Sequence, residues 1–144
     1  MKTKKIFCFL FLVSFFVSTA QDELLDSVSL ALCQEFTDLN AALEIPKNVV
    51  KLTLRKKKFK KFPDEIFQFK NLQYLDLSKN DIKEIPDSIS KLRNLQYLIM
   101  SRNRLERLPK NIGEMKNLRH LNVNQNEIEM LPYSFGFLEN LEVA

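Results

Sequence analysis

The sequence has few of the residues on which catalytic and metal sites are usually built. Its 144 residues include one histidine, two cysteines, two glycines and no tryptophan. It has no glycine-rich phosphate loop, no Gly-x-Ser-x-Gly turn and no paired metal ligands at a typical spacing. We therefore expect a protein that is not an enzyme and that uses no metal and no cofactor.

Flexible linkers are not indicated either, because two glycines and five prolines are too few for a spacer of low complexity. Hydrophobic residues make up 45% of the chain and charged residues 28%, which is ordinary for a globular protein. One folded unit is expected.

Residues 1–20 have the features of a secretory signal peptide. Three lysines precede an apolar run over residues 6–17, and small residues at 18–20 offer a cleavage site before Gln21. The run is shorter than the roughly 20 apolar residues that a spanning helix needs. We predict an exported protein (secreted, periplasmic or at the cell surface) with no transmembrane segment after signal cleavage.

Removal of this segment changes the charge of the protein. Three of the 22 lysines and arginines lie in it and none of the 18 acidic residues, so residues 21–144 carry 19 cations against 18 anions. A nearly neutral, exported chain is not expected to bind nucleic acid. Cys33 becomes the only cysteine, which excludes an intramolecular disulfide, and an inert thiol on a helix is its expected role.

The main feature of the sequence is a repeat of 23 residues. We number the positions of each repeat as slots 1–23, with Leu72 at slot 1 of the first complete copy. Apolar residues recur at slots 1, 4 and 6, asparagine at slot 9, and an apolar residue followed by proline at slots 14 and 15. The copies are a weaker first repeat at 49–71, full repeats at 72–94, 95–117 and 118–140, and a partial repeat at 141–144.

The pattern LxxLxLxxNxIxxLPxxIxxLxN resembles the leucine-rich-repeat family, in its exported bacterial type, over about two-thirds of the chain. The resemblance implies an α/β fold: a right-handed solenoid with a parallel β-sheet on its concave face and loops or short 3-10 turns on its convex side. It also implies a module for protein or ligand recognition. The pattern is similar to that of intracellular members that scaffold small-GTPase signalling, and only the signal sequence argues against that setting.

The alternation at slots 4 and 6 predicts one strand in each repeat, with slots 3 and 5 pointing out of the sheet. Slot 3 then stacks two tyrosines and a histidine beside a basic column at slot 8. Aromatic and arginine residues are enriched in binding hot spots, although cross-strand stacking alone also explains such a ladder. The predicted partner-binding residues are Tyr74, Asp76, Tyr97, Ile99, His120, Asn122, Lys56, Lys79 and Arg102.

The asparagines at slot 9 have a predicted structural role. Asn80, Asn103 and Asn126 follow the strands, where an amide turned inward can bond backbone groups of neighbouring turns. The first repeat has Lys57 at this slot and is interpreted as an edge copy.

Residues 21–48 are predicted to form a helical N-terminal cap. Apolar residues recur at steps of three and four over residues 22–43 and give one stripe, from Leu25 through Val28 and Leu32 to Leu43. A break near Gln34 followed by a second helix that begins at Thr37–Asp38 is the alternative. The last repeat has no obvious cap, which indicates a truncated array, a covering partner or low stability at that end.

Residues 56–61 are the densest basic cluster. Residues 49–71 carry eight basic and two acidic residues, whereas residues 21–48 carry one basic and six acidic. Charge pairing between the cap and this repeat is the favoured interpretation. The alternative is a surface adhesin or a site for a polyanion, such as an acidic polysaccharide, at Lys56–Lys61.

Overall fold

The structure, a computed structural model, describes residues 24–142. The predicted signal peptide, residues 21–23 and residues 143–144 lie outside the described residues. The strands are β1 (Glu35–Phe36), β2 (Lys51–Thr53), β3 (Tyr74–Asp76), β4 (Tyr97–Ile99) and β5 (His120–Asn122). The helices are α1 (Ser27–Leu32) and α2 (Leu39–Leu43), and the 3-10 turns are Pro46–Asn48, Asp64–Gln68, Asp87–Lys91, Ile112–Glu114 and Tyr133–Phe137.

The strands form one parallel sheet in the order β1-β2-β3-β4-β5. From β2 onward each strand pairs with the next at an offset of one repeat, so that Leu52 lies opposite Leu75, and Leu75 opposite Leu98. Equal slots therefore form straight columns across the sheet. The predicted solenoid, with one short strand per repeat, is confirmed.

The core consists of the apolar columns. Leu72, Leu75 and Leu77, at slots 1, 4 and 6, are completely buried, as are Ile82 and Ile89 in the return part of the same repeat. Because each turn packs only on its neighbours, the same columns bury every internal repeat in the same way. The alternation of strand residues places the side chains between these leucines on the opposite face.

The convex side consists of short 3-10 turns. Pro63, Pro86 and Pro132 immediately precede three of them, with backbone φ between −73° and −68°. Proline suits these positions because it fixes φ near these values and cannot donate a backbone hydrogen bond. Each turn ends after three to five residues, in agreement with the predicted absence of long helices there.

The N-terminal cap corrects the prediction of a single apolar stripe. Val28 and Leu32 are 69% and 81% exposed, and α1 buries Leu30 instead. The chain becomes extended at Cys33 so that β1 can pair with β2, and the helical period does not continue across this break. A second helix begins after Asp38, whose carboxylate accepts a hydrogen bond from the Ala41 N–H at 2.9 Å. The structure therefore supports the alternative prediction, a break near Gln34 followed by a second helix.

The C-terminal end of the solenoid is open within the described residues. Leu131, at slot 14, is 50% exposed, whereas Ile85 and Leu108 at the same slot are 5% and 2% exposed. The Glu142 N–H donates to the Arg119 carbonyl at 2.8 Å and so begins another turn of the same ladder. Among residues 24–142 no helix is both long enough and apolar enough to cross a membrane.

Replacement of Asn103 by alanine is expected to destabilise the fold by about 3 kcal/mol, because the buried Ile82 N–H would lose its partner and two carbonyls would each lose one of their two amide donors. The side chain amide donates to the carbonyls of Leu77 and Met100, and its oxygen accepts from the Ile82 N–H. Thermal and urea unfolding would measure the change.

The matched control is Asn94→Ala, which removes one exposed hydrogen bond to the Lys70 carbonyl at 3.2 Å. That variant should lose about 1 kcal/mol or less. Equal losses in the two variants would contradict the structural role of the slot-9 asparagines.

Candidate partner-binding face

Slot 3 forms a ladder of rings across the concave face. The centroids of Tyr74 and Tyr97 are 5.8 Å apart, as are those of Tyr97 and His120, and each pair of ring planes is tilted by 32°. The Lys51 Nζ lies 5.2 Å from the centroid of the Tyr74 ring, a cation–π distance. Parallel pairing at an offset of one repeat is what brings these four side chains into one row.

The rings of this ladder lie side by side, with neighbouring rings one strand apart and moderately tilted. Each of the three rings remains partly exposed. The tyrosine hydroxyls and the imidazole are groups that can form hydrogen bonds with a ligand.

Slot 5 departs from the prediction at Asp76. Its side chain was predicted to be a contact residue, but Asp76 is only 5% exposed. The carboxylate accepts a hydrogen bond from the Ser78 N–H at 2.8 Å and lies 3.6 Å from the Arg55 Nε. These two partners hold the carboxylate down against the sheet. Ile99 and Asn122, at the same slot, remain partly exposed.

The tyrosine next to Asp76 has an altered acidity. Burial raises the pKa of Tyr74 above its ordinary value, and the negative charges of Asp76 and Glu35 act in the same direction. Arg55 partly opposes them. The phenol is consequently a neutral hydrogen-bonding group at physiological pH.

Slot 8 follows the last residue of each of the strands β2 to β5 by three residues. The backbone φ is positive at this slot in all four repeats: 57° at Lys56, 59° at Lys79, 58° at Arg102 and 58° at Gln125. A residue with a Cβ is strained there, at a cost on the order of 1 kcal/mol, and glycine or asparagine is better tolerated. The repulsion of Arg102 and then of Lys56 lowers the pKa of Lys79.

The predicted charge pairing between the cap and the first repeat is not found among residues 24–142. The ion pairs there are Arg55–Asp76, Lys83–Glu106, Arg107–Glu84 and Lys116–Glu139. Two acids of the cap bond backbone N–H groups instead, since Asp26 and Asp38 begin α1 and α2. The hydrogen bond from Ser29 lowers the pKa of Asp26.

Cys33 and His120, the side chains with the most potential for catalysis or metal binding, lie in different parts of the fold. Cys33 is half-buried after α1, where its Sγ lies 3.4 Å from the Ser29 carbonyl oxygen, and His120 stacks on Tyr97 in the ladder. In the described part of the chain no group of three or more His, Cys, Asp or Glu side chains is placed to hold a metal ion.

Two sets of side-chain amides, at slots 23 and 2, have structural roles that were not predicted from the sequence. The slot-23 asparagines each donate to the carbonyl 24 residues earlier in the chain, at 2.7 to 3.2 Å, which forms a second ladder; they are Asn71, Asn94, Asn117 and Asn140. Their recurrence was visible in the repeat.

At slot 2, Gln73 and Gln96 are 5% and 1% exposed. The Gln96 Nε2 donates to the Leu25 carbonyl and to the Gln73 Oε1, and the Leu25 N–H donates to the same Gln73 oxygen. Two glutamines one repeat apart thus hold the N-terminal segment beside the sheet.

Two models of the leucine-rich repeat match the sequence, one over residues 47–105 and one over residues 117–138. The chain belongs to the leucine-rich-repeat family. Leucine-rich-repeat domains generally serve as protein-interaction modules and are typically non-catalytic scaffolds. No curated protein is similar enough in sequence to count as a match.

Solved leucine-rich-repeat structures share the fold. A protein of Leptospira interrogans is 34% identical with a TM-score of 0.60, and covers 77% of this chain and 34% of its own. The repeat domain of the type III effector XopL is 29% identical with a TM-score of 0.64, covering 74% and 38%. A chain of the BIR3–SERK2 complex of Arabidopsis thaliana is 31% identical with a TM-score of 0.57, covering 65% and 53%. This leucine-rich-repeat chain therefore spans about a third to a half of their length.

Proposed function

We propose that the chain is a recognition module that binds a protein partner through its concave face. The ladder of Tyr74, Tyr97 and His120 is the observation that carries this proposal, because it places polar, partly exposed aromatic side chains in one row. The remaining contact residues are Ile99, Asn122, Lys56, Lys79 and Arg102. Asp76 is assigned the role of positioning Arg55 rather than of touching the partner.

The competing explanation is that the rings only stabilise the sheet. Cross-strand aromatic pairs do stabilise sheets, by roughly 0.2–1 kcal/mol each. However, the core of each repeat is already filled by apolar side chains, mostly leucines, at slots 1, 4 and 6, and slot 3 lies on the other face. Partly exposed tyrosines there favour binding over packing. The BIR3–SERK2 structure is a complex of two proteins, which supports the general class of partner.

Replacement of both Tyr74 and Tyr97 by alanine is expected to weaken partner capture by about tenfold or more, since each is a central aromatic contact. Residues 21–144, immobilised, would capture the partner from extracts of the producing organism or its surroundings, and the bound protein would be quantified by mass spectrometry.

The control is Tyr133→Ala, which removes an 89% exposed tyrosine from a convex 3-10 turn. Its capture should equal that of the unmodified protein. Unchanged capture by the double variant, with an unchanged circular dichroism spectrum, would rule out the concave face as the binding site.

We also propose that the mature protein begins at Gln21 and is exported. The support is the charge, apolar and small-residue order of residues 1–20. Expression of the full chain in the producing organism should place a protein that starts at Gln21 outside the cytosol, as read by fractionation and N-terminal sequencing. An uncleaved chain in the cytosol would contradict this proposal.

A second candidate function is binding of an acidic polysaccharide, or adhesion to such a surface, at Lys56–Lys61. The observation that favours it is that, within residues 24–142, no ion pair joins these lysines to the acidic cap. The lysines of this stretch are exposed.

Under this second function, heparin resin should retain residues 21–144 at physiological ionic strength, about 0.15 M, and should release the variant with Lys57, Lys58, Lys60 and Lys61 changed to alanine. A variant with Lys83, Lys91 and Lys110 changed to alanine, all exposed and outside the cluster, is the control for lost charge. Elution of the unmodified protein well below that salt concentration would exclude the polysaccharide function.

A further inference from the structure

The basic side chains at slot 8 stand at positions that disfavour them. Lys56, Lys79 and Arg102, which we name the slot-8 column, all have φ between 57° and 59°. Glycine and asparagine adopt this conformation with less strain than lysine or arginine. Three successive repeats nevertheless carry a long cationic side chain there. The repeat itself sets this φ, since Gln125 shares it, so what the fold leaves unexplained is the choice of a cationic side chain in three successive repeats.

The same three side chains also repel one another. Adjacent strands of a sheet are about 4.8 Å apart, so neighbouring members of the column end close together. The effect is visible at Lys79, whose pKa is lowered by Arg102 first and by Lys56 second. Electrostatic repulsion therefore adds to the backbone strain at these positions.

Among the charges that act on Lys79 in the described part of the chain, only that of Asp76 offsets the repulsion. The Asp76 carboxylate already lies beside Arg55. Arg102 donates through its Nε to the neutral side chain of Gln125. Within residues 24–142 none of the three cations forms an ion pair. With Lys51 and Arg55 there are five cations along these rows, against buried Asp76 and exposed Glu35, which lies in register with Lys51.

We propose that the slot-8 column, together with the slot-3 ladder, recognises an acidic segment of the protein partner. The inference rests on the proposed function and specifies the chemistry of the partner. Carboxylates of the segment would meet the column, while its apolar side chains would lie on Ile99 and along the ring edges. Partly exposed Ile99 lies at slot 5, between slots 3 and 8, and favours a peptide with aliphatic side chains over an acidic polysaccharide, which carries none.

The test uses residues 21–144 and a fluorescein-labelled peptide of alternating glutamate and leucine, measured by fluorescence anisotropy. In Lys79→Asn the residue becomes one that tolerates positive φ, and one repelling charge is removed. We expect a melting temperature that is higher by a few degrees and an affinity for the peptide that is about fivefold lower. In Lys79→Asn with Arg102→Asn both effects should increase.

The matched control is Lys91→Asn, at the end of the convex 3-10 turn Asp87–Lys91, which should change neither quantity. A peptide with glutamine in place of glutamate should bind the unmodified protein far more weakly. Equal affinities of Lys79→Asn and the unmodified protein for the acidic peptide would overturn the inference, as would binding of a heparin oligosaccharide in place of the peptide.

The failure of this inference is distinguishable from failure of the proposed function. If the tyrosine double variant loses its captured partner while Lys79→Asn keeps it, the concave face binds a protein and the acidic-segment inference is wrong. If Lys79→Asn lowers the melting temperature, the slot-8 column stabilises the fold. That result would also overturn the inference.

Discussion

The amide of the slot-9 asparagine is the interaction on which the other features of this molecule depend. In Asn103 it bonds the backbone of its own turn at Met100 and of the preceding turn at Leu77 and Ile82. Because the same bonds recur around Asn80 and Asn126, successive turns from the second repeat onward leave their strands at the same place. Equal slots consequently align, and alignment is what converts a repeat in sequence into columns of side chains in space.

These columns allow a chain with few residues of the catalytic types to present ordered rows of side chains on one face. A rigid sheet fixes the spacing of the slot-3 rings, and the turn that follows fixes the spacing of the slot-8 cations. The inner leucines supply the stability, so the residues between them are free to vary. Positions with backbone strain or charge repulsion, such as Lys79, then carry information about function. Selection for stability alone would favour other residues there.

The period of 23 residues was enough to predict the strands, their parallel order and the four-residue row from Lys51 to His120. It was not enough where a residue depends on something outside its repeat. Asp76 is buried because Arg55 and Ser78 reach it, Val28 is exposed because the chain breaks after α1, and Gln96 is buried because residue 25 covers it. The positive φ at slot 8 was missed because lysine and arginine do not signal it as glycine does.

The two glutamines at slot 2 connect the N-terminal cap to repeats beyond the first. A solenoid whose turns contact only their neighbours melts from either end, one turn at a time. Here Leu25 is tied to residues 48 and 71 positions later in the chain, so the cap cannot open without breaking bonds to the second and third repeats. Opening of the N-terminal cap is therefore coupled to the second and third repeats, and not only to the first repeat, with which β1 pairs.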